Sequence, residues 1–163
     1  MPRAPVPLAP AGTGRGIIAA SLAGTGALGI TAVVAAVAPH TLDVPALVVA
    51  LAMFFGGTAA FVAAYVVAIG RSREQAVAIA GVFGLAGGST PAAVRTRLLG
   101  SLAAEVVVAV ATAAVRPYTS LSFGILAPMW GLGLAGLWGA RHGGFAPRAP
   151  DPRRPPRAGR ARG

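Results

Sequence analysis

PALVVALAMFFGGTAAFVAAYVVAI, residues 45–69, has no charged side chain, and its polar ones are Thr58 and Tyr65. Wound as an α-helix, these 25 residues rise about 37 Å, enough to cross a hydrocarbon core about 30 Å thick. Three further apolar runs, 16–38, 98–115 and 121–139, reach or approach the same length. The chain has 163 residues, 55% hydrophobic and 11% charged, too little polar surface to cover a soluble core. The pattern predicts an all-α membrane protein with four transmembrane helices and a short interfacial helix between helices two and three.

The 14 basic residues are all Arg, and they are unevenly placed. Arg3 and Arg15 precede the first run. Arg71, Arg73, Arg95 and Arg97 lie between the second and third, and seven more follow the fourth, so Arg116 stands alone on the other side. Cytoplasmic loops carry the excess of Arg and Lys, which predicts a multi-pass cell-membrane protein with both termini cytoplasmic. Ala36-Val37-Ala38 mimics a signal-peptide cleavage site, but the run before it is long and Pro39 follows, so the first helix reads as uncleaved. Residues 1–15 read as a disordered cytoplasmic tail, 16–140 as the transmembrane domain and 141–163 as a basic disordered tail.

Segment 71–97 differs from the rest. Ser72 with Gln75 three residues on matches a capping box, with Glu74 near the positive end of the helix dipole. A helix over 73–86 follows, too short to span, with Ile79, Val82, Phe83 and Ala86 on one face. Gly87-Gly88 ends it, and Thr90-Pro91 starts the next helix as N-cap and first-turn proline. Asp43 suits the N-cap of helix two. Pro128, inside helix four, predicts a kink or a break.

The ionisable residue inside a span is Glu105, near the middle of helix three. The eight Leu and Val residues of that helix favour insertion by about 2.4–4.8 kcal/mol, whereas a central carboxylate costs about 2.5–3.5 kcal/mol. Glu105 must therefore face other helices, face water or be protonated. Ser101, Glu105, Val108 and Thr112 follow 4-3-4 spacing, a mildly polar stripe. Its functional reading is a proton- or cation-coupling carboxylate with Ser101 and Thr112 beside it; the alternative is an interhelical hydrogen bond that aids packing.

Other motifs carry less chemistry. Gly24-x-Gly26-x-x-Gly29 and Gly131-x-Gly133-x-x-Gly136 match a dinucleotide fingerprint, but both lie within spans rather than at a strand-to-helix turn. Ala52, Gly56, Ala60, Ala64 and Ala68 on helix two, and Gly131, Ala135 and Gly139 on helix four, form small-residue stripes suited to packing within the monomer or to self-association. No Cys is present. His40 and His142 fall on opposite sides of the membrane and cannot share a metal. Neither a catalytic set nor a cofactor or metal site emerges. Trp138, near Arg141 and His142, reads as an interface anchor. Arg141, Arg148, Arg153, Arg154 and Arg157 should contact anionic lipid headgroups, each contributing about 1 kcal/mol near the surface. Without interleaved aromatics, the tail does not suit nucleic acid.

Arg116-Pro117-Tyr118-Thr119 and FGILAPMWGLGLAGLWGARHGGF (123–145) carry a family likeness that extends more loosely back to Arg71. The stretch resembles the small, uncharacterised Ala-rich four-helix integral membrane proteins of actinobacteria. The resemblance covers about half of the chain, implies a cytoplasmic-membrane protein and brings no activity with it. Small multidrug-resistance transporters also have four helices and a membrane glutamate, but theirs lies in helix one, where this chain has none. The reading that follows is a non-enzymatic accessory or scaffold, packed against a larger membrane protein or itself. The alternative is a small proton-coupled transporter or channel using Glu105.

Overall fold

The computed structural model describes residues 10, 13–37, 43–86, 88–115 and 120–148. Its helices are α1 (Arg15–Val37), α2 (Asp43–Ser72), α3 (Ile79–Phe83), α4 (Ala92–Val115), a 3-10 helix (Ser120–Leu126) and α5 (Met129–His142). Among the described residues the sole β feature is an isolated antiparallel bridge between Gln75 and Pro147. Four segments are long and apolar enough to cross a membrane: Arg15–Ala35, Val44–Ser72, Ala92–Val115 and Ser122–His142. The protein is an all-α, four-helix membrane protein.

The fourth segment is broken rather than kinked. The 3-10 helix stops at Leu126, and α5 starts at Met129 with Pro128 as its N-cap residue. Proline suits this place because it has no amide hydrogen to leave unpaired and its φ already matches a helix.

α5 is the centre of the bundle and contacts α1, α2, α3 and α4. Its glycines make that possible. A Cβ on Gly133 would overlap the Gly57 carbonyl of α2, one on Gly139 the Val82 carbonyl, and one on Gly136 the Phe83 ring. Gly57 in turn lies against the Met129–Trp130 backbone. The small-residue stripes are thus largely used inside the monomer: Ala64 and Ala135 are fully buried, Ala60 meets Gly133, and Ala52 remains exposed. Such close approach favours van der Waals contact between helices, which drives association where lipid and protein are equally apolar.

Both tryptophans of α5 act as wedges. Trp130 lies between Gly24 of α1 and Gly56 of α2 and donates its indole N–H to the Ala20 carbonyl at 3.1 Å. Trp138 is fully buried with Ile18, Leu85, Val94 and Leu98, and donates to the Thr13 carbonyl at 3.0 Å. It is therefore an internal anchor, not the headgroup-level residue that its position beside Arg141 suggests. The burial of its indole N–H against a backbone carbonyl is the physical reason.

The start of α1, the end of α2, the start of α4 and the end of α5 meet at one end of the bundle, where Arg15, Arg71, Arg73, Arg95, Arg97, Arg141 and Arg148 gather. The short helix here covers Ile79–Phe83, not 73–86. The capping box does not form: Ser72 Oγ donates to the Ile69 carbonyl, and Gln75 Oε1 accepts from Arg71 Nε and Nη2. A charge-assisted, two-pronged donor outcompetes a neutral backbone amide for the Gln oxygen. The backbone of 74–76 pairs instead with 146–148, through Ala76 N–H to Ala146 O and Arg148 N–H to Glu74 O. Of the expected α3 face, Val82 is buried and Phe83 stacks on Phe61 at 4.6 Å, but Ile79 is 75% exposed.

This pairing also changes the reading of the C-terminal region. Residues 141–142 finish α5; Gly144 N–H then donates to Ser89 O in the α3–α4 link, and 146–148 pair with 74–76 in the α2–α3 link. The disordered-tail expectation therefore fails up to Arg148, and 149–163 lie outside the described residues, as do 1–9 and the links 38–42 and 116–119.

Candidate functional site

Two helices each contribute a pair of polar side chains at i, i+4 spacing, and those pairs face one another. α4 presents Ser101 and Glu105; α1 presents Ser21 and Thr25. Residues four apart share a helix face, so two parallel helices, both starting at the arginine-rich end, match at both levels. Ser21 Oγ lies 2.6 Å from Ser101 Oγ, and Thr25 Oγ1 lies 2.8 Å from the same Ser101 oxygen. Thr25 Oγ1 reaches Glu105 Oε1 at 2.9 Å and the Ser21 carbonyl at 3.0 Å. Ser21, Ser101 and Glu105 are buried, Glu105 completely.

The other Glu105 oxygen holds α5. Gly131 N–H donates to Oε2 at 3.0 Å. The first amides of a helix have no partner within it. Here Trp130 N–H finds Ala127 O and Leu132 N–H finds Pro128 O, so Gly131 N–H takes the carboxylate. Glu105 is an N-cap supplied by another helix, where a negative group also suits the dipole. Gly131 itself is needed, since a Cβ there would sit 2.7 Å from Oε2.

α5 is clamped at its other end by Arg71. Nη1 donates to Ala140 O at 2.6 Å and Nη2 to Gly143 O at 2.8 Å, with the guanidinium 5.2 Å from the Phe145 ring centroid. The Ala140 carbonyl is one of those a helix end leaves without an intrahelical donor, and a cation suits the negative end of the dipole. One helix is thus held by a carboxylate at its start and a guanidinium at its end.

The remaining candidates stand apart. Thr112 donates within its own helix, to Val108 O at 2.8 Å and Ala109 O at 3.0 Å, and does not join Glu105. Arg141 is exposed; Arg148 is exposed with Nη1 donating to the Ser72 carbonyl at 3.0 Å. Arg153, Arg154 and Arg157 lie outside the described residues. Gly24, Gly26, Gly29, Gly131, Gly133 and Gly136 all sit inside α1 or α5, so neither fingerprint forms a phosphate-binding turn. Among the described residues, no group of three or more His, Asp or Glu side chains could hold a metal ion.

Ser21, Thr25 and Arg71 are the site residues that the sequence does not single out. The available signal is the repeated four-residue polar spacing, 21/25 against 101/105. Neither a family model nor a curated protein nor a solved structure matches this chain.

Proposed function

We propose that this protein is a non-enzymatic integral membrane protein that acts as an accessory or scaffold, joining a larger membrane protein or a second copy of itself. One observation carries the reading. The buried polar groups are used inside the bundle, Glu105 on α5 and the Ser21 and Ser101 hydroxyls between α1 and α4, whereas α1 leaves an outward seam of Gly16, Ala19, Ala23, Gly26, Ile30 and Val33 at 3-4-3-4-3 spacing, all exposed. No atom lies within 4 Å of where a Cβ would stand on Gly16 or Gly26. Small residues at that repeat let a neighbouring helix approach closely. The arginine-rich end faces the cytoplasm in this proposal, on the positive-inside rule, and touches anionic headgroups of the cell membrane. Native co-purification in a mild detergent, read by mass spectrometry, tests it: a stoichiometric membrane partner or a homo-oligomer supports it, and recovery as a lone monomer counts against it.

A second reading has its own support. A carboxylate among hydroxyls at the level of the bilayer interior is where proton-coupled proteins place their working groups. In this reading Glu105 serves a small proton-coupled transporter or channel, and proton flux in proteoliposomes should disappear in Glu105→Gln.

A further inference from the structure

The hydroxyl of Thr25 has one proton and two acceptors in place for it, Glu105 Oε1 at 2.9 Å and the Ser21 carbonyl at 3.0 Å. Thr31, Thr58 and Thr112 also bond back to their own helices, each to backbone carbonyls of that helix. Thr25 alone among them combines that back-bond with a carboxylate. We propose that Glu105 and Thr25 form an intramembrane proton-binding site, in which Thr25 exchanges acceptors as the proton comes and goes. The proposal deepens the second reading above, and rests on it only for the purpose of the proton.

The protons balance in both states. With Glu105 charged, Ser21 O–H donates to Ser101 Oγ, Ser101 O–H to Thr25 Oγ1, and Thr25 O–H to Glu105 Oε1, while Gly131 N–H serves Oε2. Three hydroxyl protons and one amide proton are all placed. When one proton is added at Oε1, the new carboxyl O–H donates to Thr25 Oγ1, and the Thr25 proton rotates to the Ser21 carbonyl. Ser101 still donates to Thr25 Oγ1, which has two acceptor lone pairs, and Gly131 still donates to Oε2. One hydroxyl rotation accommodates the change, and no buried polar group loses its partner.

That economy is what an occluded proton site needs. A half-satisfied buried network is costly, and most intramembrane carboxylates are neutralised or paired instead. The groups that act on Glu105 are Thr25 on α1 and the Gly131 amide on α5. From its own helix comes Ser101, through Thr25; Arg97 is about 12 Å away along the axis of α4 at 1.5 Å per residue. α2 contributes its Gly56 and Met53 region to the Trp130 cluster and no charge. From Glu105 the hydroxyls step one turn toward the arginine-rich end and stop at Ile18 and Leu98, both buried. The O···O separations of 2.6–2.9 Å along the line are those of direct hydrogen bonds and leave no space for a metal cation.

The test is infrared difference spectroscopy of the full-length protein in lipid vesicles over a pH titration. The chain has four acidic side chains, and the Glu105 carboxyl band is the one lost in Glu105→Gln. We expect that band to titrate reversibly in wild type, and Thr25→Ser, which keeps both acceptors, to follow it closely. Thr25→Val should move the midpoint by about one pH unit or more, the equivalent of a hydrogen bond to a charged group. A Glu105 band that never titrates while the fold persists overturns the proposal, as does a Thr25→Val midpoint equal to wild type. Proton flux is measured on the same vesicles. Titration without flux upholds the site and rejects the transporter; flux that persists in Glu105→Gln rejects the transporter reading whatever the spectrum shows.

Discussion

Replacing Glu105 separates its role as a cap from its charge. Glu105→Ala removes the acceptors for Thr25 O–H and Gly131 N–H, which meet it at 2.9 and 3.0 Å. Interhelical hydrogen bonds in membranes contribute about 0.6–1.7 kcal/mol each, since separated helices find other partners. Truncation also leaves a cavity beside the fully buried site, costing about 1–2 kcal/mol. Thr25 retains the Ser21 carbonyl and is not orphaned, but Gly131 N–H is. The total is a loss of about 2–5 kcal/mol. Glu105→Gln keeps an oxygen for Gly131 and offers its amide to Thr25 Oγ1, so it should cost less than about 1.5 kcal/mol. Reversible unfolding in mixed detergent–SDS micelles, followed by Trp fluorescence, reads both. An alanine variant within about 0.5 kcal/mol of wild type would refute the cap, because surface-like substitutions give values that small. So would a glutamine variant as damaged as the alanine one.

Further substitutions test the neighbouring contacts. Gly133→Ala places a methyl on the Gly57 carbonyl, a backbone atom that cannot swing aside, and should cost about 1–3 kcal/mol or more; Gly29→Ala, which meets nothing within 4 Å, should leave the same unfolding curve unchanged or slightly improved. Arg71→Lys keeps the charge but cannot reach Ala140 O, Gly143 O and Gln75 Oε1 together; most of the Arg71→Gln loss should already appear with Lys, and limited proteolysis after Gly143 should speed up in both. A reporter active only outside the cytoplasm should be silent when fused after residue 163 and active when inserted at residue 42; the reverse result overturns the proposed orientation.

The apolar runs and the gathering of arginines were legible because both follow from composition and order alone. Span length is a local property, and the four segments appear where hydropathy places them. What one helix does to another is less local. Ser72 and Gln75 satisfy a capping-box pattern, yet the competing donor is Arg71, four residues before Gln75, and the strand-like partner of 74–76 lies 70–74 residues away. Trp138 has the flanks of an interface residue, and only the meeting of α1, α4 and α5 buries it. Glu105 draws notice as a charge in an apolar run, but its true partners are a hydroxyl on α1 and a backbone amide on α5. An amide leaves no mark in a residue alphabet. The break after Leu126 that frees it could be read from Pro128, and the need for Gly131 there could not.

In the proposed function the polar interior holds the bundle's own helices together while the α1 seam meets a partner. The most direct test is native mass spectrometry of complexes extracted into lipid nanodiscs, comparing wild type with an Ala23→Leu, Gly26→Leu double variant. Both residues are exposed, so the variant should unfold at the wild-type point. A stoichiometric partner or homo-oligomer is expected with wild type, and a lone, folded chain with the variant. A lone wild-type chain, or a variant that keeps its partner in full, would contradict it.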